Sequence, residues 1–204
     1  IKNPELSKLS DVLLGALSDP ANKTKAALEA LLQCEFVHSI DSPSLAVLIP
    51  ILTRALKDRG ADLKRRSAAI TGNIVSMVNN SKDILPYLAQ ILPGLKECLV
   101  DEIPDVRATT AKAMGNLVGG IGEIAELVEI VPWLIVMLSS EESPVERSGA
   151  AQGLAEVCYS LSEERMGDIL QQLLLYQNNS NYCVREGLFW MLSSLPGVVQ
   201  EAYA

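Results

Sequence analysis

Six basic side chains lie close together in one stretch of the sequence. They are Arg54, Lys57, Arg59, Lys64, Arg65 and Arg66, and we call them the basic cluster. Lys and Arg at this density can contact the phosphate groups of RNA through charge-assisted bonds that read no base. Asp58 and Asp62 stand among them, so a second interpretation is a solvated, partly ion-paired turn. Both interpretations stay open at the level of the residues.

Residues that could support catalysis are few. The only histidine is His38, which leaves a Ser-His-Asp triad or a histidine metal cluster dependent on one residue. The Gly115–Gly122 stretch follows no strand and lacks a GxxxxGK pattern, so it indicates the end of a helix and not a phosphate-binding loop. The acidic pairs Glu141-Glu142 and Glu163-Glu164 are interpreted as solvated surface. We expect a protein that is not an enzyme and has no cofactor, metal ion or small-molecule substrate.

The composition predicts a folded chain with an aliphatic core. Of the 204 residues, 49% are hydrophobic but only 4% are aromatic. The net charge of -8 speaks against a protein whose whole surface binds nucleic acid. Residues 1–100 carry 12 Lys/Arg against 10 Asp/Glu, whereas residues 101–204 carry 5 against 15. Positive charge is therefore concentrated in the first half, where the basic cluster lies.

The cellular setting follows from the apolar runs and the cysteines. The longest apolar runs, Leu45–Leu52 and Val131–Leu138, are too short to span a membrane. The four cysteines are far apart and in no CxxC motif, which predicts buried free thiols in a reducing cytoplasm: Cys34, Cys98, Cys158 and Cys183. The chain begins at Ile1 without a signal peptide, and we expect it to be a segment of a longer protein.

The elements that would position the basic cluster belong to an internal repeat. Bases recur 41, 43, 40 and 38 residues apart, each early in a helix-like stretch: Lys23, Lys64, Arg107, Arg147 and Arg185. This period is typical of HEAT or armadillo repeats. Pro104 and Pro144 are predicted to mark helix starts, because proline suits the first turn. Small residues such as Gly149 are expected to let neighbouring helices approach closely.

The predicted fold is all-α: an α-solenoid of about five HEAT repeats, each an antiparallel helix pair. The expected units are 1–40, 41–81, 82–121, 122–162 and 163–195, with another unit beginning at 196–204. The expected helix pairs are 6–18 with 21–36, 43–59 with 62–79, 83–100 with 104–119, 123–139 with 144–161, and 164–177 with 182–195. Each pair buries its apolar face only by stacking on its neighbours.

Several runs of residues also resemble a known family. The longest is Phe36-Val37-His38-Ser39-Ile40-Asp41-Ser42-Pro43-Ser44-Leu45-Ala46, followed by Lys64-Arg65-Arg66-Ser67-Ala68-Ala69, Leu92-Pro93-Gly94-Leu95-Lys96 and Pro104-Asp105-Val106-Arg107. They resemble the HEAT region shared by fungal translation elongation factor three and the giant translational activator of the general control starvation kinase. Val131-Pro132-Trp133-Leu134 and the run from Ser148 to Val157 resemble the activator and not the elongation factor.

The resemblance implies a ribosome-associated cytoplasmic scaffold. In that family, uncharged tRNA at stalled or colliding ribosomes activates a kinase that phosphorylates initiation factor two alpha. The resemblance implies that this segment is either a ribosome-facing part of the solenoid, in contact with rRNA or ribosomal proteins, or a spacer, and that other parts of the full-length chain bind the kinase. Arg54, Lys64, Arg65 and Arg66 match basic positions of the family and are the expected contact residues, with Lys57 and Arg59 beside them.

Two other classes of function stay open. A general HEAT adaptor would bind a peptide or protein in its concave face without contacting the ribosome. An enzyme would need a convergent polar pocket, for which one histidine and scattered acids give no basis.

Overall fold

The computed structural model describes residues 3–122 and 129–202. Secondary structure in these ranges is helical, without a strand, which confirms the all-α prediction. The helices are α1 (Pro4–Lys8), α2 (Ser10–Ser18), α3 (Pro20–Gln33), α4 (Ser42–Leu56), α5 (Ala61–Ser76), α6 (Ser81–Leu99), α7 (Pro104–Ile121), α8 (Ile130–Leu138), α9 (Pro144–Ser160), α10 (Glu163–Leu174) and α11 (Tyr182–Ala202). A 3-10 turn, Leu175–Asn178, follows α10.

Helix starts are set by proline and by capping side chains. Pro104 and Pro144 open α7 and α9 as predicted, because a proline in the first turn removes an N–H that would lack a partner there. Ser143 Oγ also accepts a hydrogen bond from the Glu146 N–H at 3.3 Å, which caps α9. At the other end of α7, Gly122 takes a φ of +70°, so the glycine stretch does end a helix.

Successive helix pairs stack into an α-solenoid of HEAT repeats, as the period predicts. Short turns make the two helices of each pair antiparallel neighbours. The second helices, α3, α5, α7, α9 and α11, pack against one another in chain order, and α4 packs against α6 in the layer of first helices. The core is almost entirely aliphatic, as expected, and includes Leu48, Ile74, Leu95 and Leu154, each buried. No repeat covers its core alone, so each stabilises the next.

The turns inside the helix pairs lie together along one side of the solenoid. We call this side the turn edge; it comprises residues 57–60, 100–103, 139–143 and 175–181. The loops that join one pair to the next lie on the opposite side, where the Ile40 N–H donates to Met77 O at 3.1 Å. Asn3 ties the start of the chain to this opposite side, because its amide donates to His38 O at 3.1 Å and Ser39 O at 3.2 Å.

Three of the five periodic bases, Arg107, Arg147 and Arg185, hold the turns of the turn edge in place. Arg107 donates to Asp101 O at 2.8 Å and Glu102 O at 3.0 Å, and Arg147 donates to Ser140 O at 2.8 Å. Arg185 repeats the pattern with Asn179 O and Ser180 O. In each case a guanidinium early in the second helix satisfies carbonyl groups of the turn just before it. The regular spacing of these arginines in the sequence therefore reflects a structural role, which is to bind the carbonyl groups of the preceding turn.

Two glycines are required where the end of a first helix meets the second helix of the next pair. A Cβ placed on Gly149 would lie 1.9 Å from Leu99 O, and one on Gly187 would lie 2.0 Å from Leu138 O. Both distances are far inside van der Waals contact, so a side chain at either position would push the helices apart. The close approach predicted for the small residues is confirmed at Gly149.

Some element boundaries differ from the sequence prediction or lie outside the described residues. The first helix of the first unit is divided at Leu9, whose N–H donates to Leu6 O three residues back and tightens the turn. The predicted helix start at 123 lies outside the described residues, and α8 is described from Ile130. The last described helix is longer than predicted, because α11 continues through Pro196 to Ala202; the division into units, including one from 196, stays a prediction. Proline removes one hydrogen bond from a helix, and α11 tolerates this loss as α4 and α6 do.

Candidate functional site

The basic cluster lies where the second repeat forms the turn edge. Arg54 is in the last turn of α4, Lys57 and Arg59 are in the turn that follows, and the other three are in α5. Bases at the C-terminal end of α4 are favoured there because the helix dipole is negative at that end. Asp58 shapes the turn, since its Oδ1 accepts a hydrogen bond from the Gly60 N–H at 2.7 Å. The structure thus places all six predicted residues in the second repeat, from the last turn of α4 to the first two turns of α5.

Two members of the cluster hold neighbouring repeats together. Lys64 Nζ lies 2.6 Å from Asp101 Oδ2 in the next turn of the edge. Arg66 lies 3.2 Å from Glu29 Oε1 in α3 and 2.9 Å from Asp62 Oδ2 in its own helix. The hydrogen bond from Lys64 to Asp101 raises the pKa of Lys64, and the bond from Arg66 to Asp62 raises the pKa of Arg66. The charges of Lys64 and Arg66 are therefore largely neutralised by ion pairs within the chain.

The other members of the cluster face solvent. Lys57 and Arg59 are exposed and form no ion pair with any residue in 3–122 or 129–202. Arg65 is half exposed and makes only a 3.3 Å contact with Asp62. Arg54 reaches back to Ala16 O at 3.4 Å, a long hydrogen bond that leaves its charge uncompensated. The available positive charge therefore lies on Arg54, Lys57, Arg59 and Arg65.

Both sequence interpretations of the cluster thus describe part of it. Lys64 and Arg66 of α5 are ion-paired, whereas Arg54, Lys57 and Arg59 around the α4–α5 turn present unpaired cations to solvent. Such cations can contact successive phosphate groups or an acidic protein surface, because neither contact requires a pocket.

Other residues that could do chemistry lie apart from the cluster. His38 Nδ1 lies 2.7 Å from Glu5 Oε1 on the opposite side of the solenoid, and the hydrogen bond from His38 lowers the pKa of Glu5. No group of His, Cys, Asp or Glu in the described part of the chain is arranged to hold a metal ion. Among the helices described, none combines the length and apolar character that crossing a bilayer requires.

The four cysteines are free, as predicted. Cys98 and Cys158 are buried, and burial raises the pKa of each thiol to about 12. Cys183 is also buried, but Cys34 is only half buried, so the expectation of burial is wrong for that residue. The reason is that Cys34 follows the last residue of α3, where the loop leaves the helix layer.

A second surface feature was missed by sequence reasoning. The acidic residues Glu141 and Glu142 are exposed as expected, but they lie on the rim of a groove. Its apolar side includes Val136 and Tyr176, from the end of α8 and from the 3-10 turn. The available signal was α8 itself, whose sequence IVPWLIVML is apolar on every face and so leaves an apolar side chain outside the core.

Comparison with known proteins identifies the family. Residues 23–128 match the family described as "Elongation factor 3/GNC1 HEAT repeat". Over 96% of this chain, the sequence is 44% identical to "Protein ILITYHIA" of Arabidopsis thaliana and 43% identical to "Stalled ribosome sensor GCN1" of Homo sapiens. It is 41% identical, also over 96%, to "eIF-2-alpha kinase activator GCN1" of Saccharomyces cerevisiae. The chain spans about 7% of the length of each of these relatives.

The resemblance read from the sequence runs is confirmed by these matches. Elongation factor 3 of Pneumocystis carinii is 31% identical over 43% of this chain, whereas the GCN1 proteins match almost all of it. The difference agrees with the runs after Val131, which resemble the activator alone. By its repeat architecture and its match over residues 23–128, the chain belongs to the elongation factor 3/GNC1 HEAT-repeat family.

Proposed function

We propose that this chain is a non-catalytic, ribosome-associated scaffold segment of a cytoplasmic translational activator. The activator promotes phosphorylation of initiation factor two alpha by the starvation kinase, and the kinase binds through other parts of the full-length chain. The proposal takes the ribosome from the names of relatives that match the chain almost from end to end. The observation that carries the contact itself is the group of exposed, unpaired cations at the α4–α5 turn.

The chemistry of the ribosome surface suits these cations. Exposed rRNA presents phosphate groups, and a Lys or Arg that contacts a phosphate releases bound counterions. Lys57 and Arg59 are two residues apart on a turn and project from the turn edge without competing acids beyond Asp58. The acidic second half of the chain confines such a contact to the first repeats. A local, electrostatic contact is therefore the form of binding that the charges support.

Cosedimentation with purified ribosomes across a salt series tests the proposal. The wild-type chain is expected to bind at low salt and to lose affinity linearly on a log–log plot. Lys57→Glu/Arg59→Glu should weaken binding and lower the slope by about 2, one unit for each lost phosphate contact. Reversing Lys64 and Arg66 would be a poorer test, because it would also break ion pairs between repeats.

Lys8→Glu/Lys82→Glu is the matched control. Both lysines are exposed, both lie toward the side opposite the turn edge, and the change in net charge is the same. The control should bind as the wild type does. Equal weakening by both double variants would indicate net-charge repulsion and would contradict a contact at the turn. Absence of binding by the wild type would favour the general adaptor without ribosome contact.

A further inference from the structure

A groove at the turn edge of the fourth repeat differs in character from the basic cluster. It has a volume of about 790 Å³ and lies between the end of α8, the turn into α9 and the 3-10 turn after α10. The residues that matter are Val136, Met137 and Tyr176 on its apolar side and Glu141, Glu142 and Glu146 on its rim. We call it the α8–α9 groove. Its volume lies in the range of small-molecule clefts, and the groove is open to solvent.

The apolar side of the groove is unusual for a helix end at the surface. α8 buries Leu134, Ile135 and Leu138 in the core, yet Val136 is 63% exposed. A surface helix usually carries polar residues on the face that its own neighbours leave open. Val136 instead lies beside Met137 and the half-buried Tyr176, so three apolar side chains form one continuous surface that another apolar group can cover.

The rim of the groove is acidic, and none of the lining residues that the structure describes is Lys or Arg. Glu141 accepts a hydrogen bond from the Asn181 amide, and Glu146 Oε2 accepts one from Ser140 Oγ at 2.6 Å, so both carboxylates are held in place by neutral donors. Glu142 is exposed and forms no ion pair with the residues described. Arg147 is close in sequence, but its charge is buried against Glu186 at 2.5 Å. Three carboxylates therefore surround the apolar surface uncompensated.

We propose that the α8–α9 groove binds a short basic segment of a partner protein, one bulky apolar side chain of which is flanked by Lys or Arg. The apolar side chain would cover Val136 and Tyr176, and the flanking cations would meet the three carboxylates. The charge selects against nucleic acid and anionic lipid, both of which the rim repels. This inference goes beyond the ribosome contact, because it uses a different repeat and the opposite charge.

Fluorescence anisotropy with labelled peptides tests the proposal on the 204-residue chain. The probe is a peptide of about ten residues in which a central Leu is flanked by lysines; one comparison peptide has Ser for Leu, and another has Glu for the lysines. Only the probe with both features should bind, and salt should weaken it. Equal binding of the Ser peptide would overturn the proposal, since charge alone would then account for the affinity. Absence of binding by the probe would overturn it as well.

Single substitutions locate the site. Val136→Ser and Glu142→Lys change exposed side chains and should each weaken binding of the probe by about tenfold. Glu163→Lys makes the same charge change at the far end of α10, about 18 Å along the helix from Tyr176, and should leave affinity unchanged. Circular dichroism of each variant checks the fold. If Glu163→Lys weakens binding as much as Glu142→Lys, the groove is not the site.

The outcome is independent of the ribosome measurement. Lys57→Glu/Arg59→Glu leaves the groove intact and should not reduce affinity for the basic probe. If Lys57→Glu/Arg59→Glu loses ribosome binding but keeps peptide binding, the two surfaces act separately. Val136→Ser should show the opposite result: it should lose peptide binding and keep ribosome binding.

Discussion

Lys64 Nζ lies 2.6 Å from Asp101 Oδ2, and this ion pair joins the second repeat to the turn of the third. The two side chains are 24% and 11% exposed, so the pair is partly shielded from solvent. Arg66 makes the corresponding contact in the other direction, to Glu29 of the first repeat. The basic cluster is thus divided between residues that connect repeats and residues that face solvent.

We expect the effects of substituting Lys64 and Asp101 on the free energy of unfolding to be coupled. Lys64→Met and Asp101→Asn should each lower the free energy of unfolding by about 1 kcal/mol, with a coupling energy of about 0.5–1.5 kcal/mol between them. Urea unfolding of the four chains of the double-mutant cycle measures this energy. Strictly additive effects would show that the pair contributes nothing across the repeat boundary.

The same pair predicts a pH dependence of stability. Burial raises the pKa of Asp101, but hydrogen bonds from Lys64 and the Ile103 N–H outweigh it, and the folded-state pKa is lowered. A carboxyl with a lowered pKa stabilises fully above its unfolded value of about 3.9 and loses that contribution as pH falls through its folded value. Asp101→Asn should therefore reduce the loss of stability below about pH 4. Urea unfolding at a series of pH values measures it, and identical acid limbs would contradict the assignment.

Lys64 affects the stability of the chain at alkaline pH. The hydrogen bond to Asp101 raises the pKa of Lys64, so its contribution is complete below the unfolded value of about 10.4. It is lost as pH rises through the folded value. Lys64→Met should flatten the alkaline limb of the stability curve, and an unchanged limb would indicate that the lysine is unpaired in solution.

Removal of Arg147 should destabilise the junction of the fourth and fifth repeats. Its guanidinium is almost fully buried, donates to Glu186 Oε2 at 2.5 and 2.9 Å, and lies 5.8 Å from the ring centroid of Trp190. Arg147→Ala should lower the free energy of unfolding by about 2–4 kcal/mol, because it leaves the Ser140 carbonyl and Glu186 without their donor. Thermal unfolding followed by circular dichroism measures the loss.

Arg165→Ala is the control for this prediction. Arg165 is exposed and lies 4.0 Å from Asp168, so its removal should change the free energy of unfolding by less than about 0.5 kcal/mol. Equal effects of the two substitutions would mean that the buried pair adds nothing to the repeat junction.

Substitution of the two contact glycines should be strongly destabilising. Gly149→Ala and Gly187→Ala each place a Cβ about one van der Waals radius from a backbone oxygen, which requires the helices to separate. We expect a loss of about 2–3 kcal/mol for each. Gly167 has no atom near its Cβ position and lies inside α10, so Gly167→Ala should instead stabilise by about 0.5–1 kcal/mol. Chemical denaturation of the three variants distinguishes the signs, and a neutral Gly149→Ala would contradict the close approach.

The fold was largely predictable because its signal is periodic. Bases near 40-residue spacing, small residues such as Gly149 and the start of α7 at Pro104 all follow from the local sequence. The continuation of α11 through Pro196 did not follow, since proline is usually read as a boundary. Whether a helix survives a proline depends on its surroundings, which local sequence does not contain.

The position of the basic cluster was predictable from the sequence. Which of its residues form ion pairs between repeats and which face solvent was not. Local sequence shows Asp58 and Asp62 beside the basic cluster, and Asp62 does pair with Arg66. It does not show the partners across the repeat boundaries, Asp101 for Lys64 and Glu29 for Arg66, each 37 residues away. Pairs across a repeat boundary become visible only when the repeats are stacked. The exposure of Val136 could not be predicted from local sequence either, because an apolar residue in an apolar helix is expected to be buried in the core.

The most direct test of the ribosome contact compares two charge-matched chains at one salt concentration. At about 100 mM salt, where charges within roughly 10 Å still interact, the dissociation constant for ribosomes is measured for Lys57→Glu/Arg59→Glu and for Lys8→Glu/Lys82→Glu. We predict that the first is at least about tenfold weaker than the second, because only the first removes cations from the turn edge. Equal constants would contradict the assignment of the contact to the α4–α5 turn.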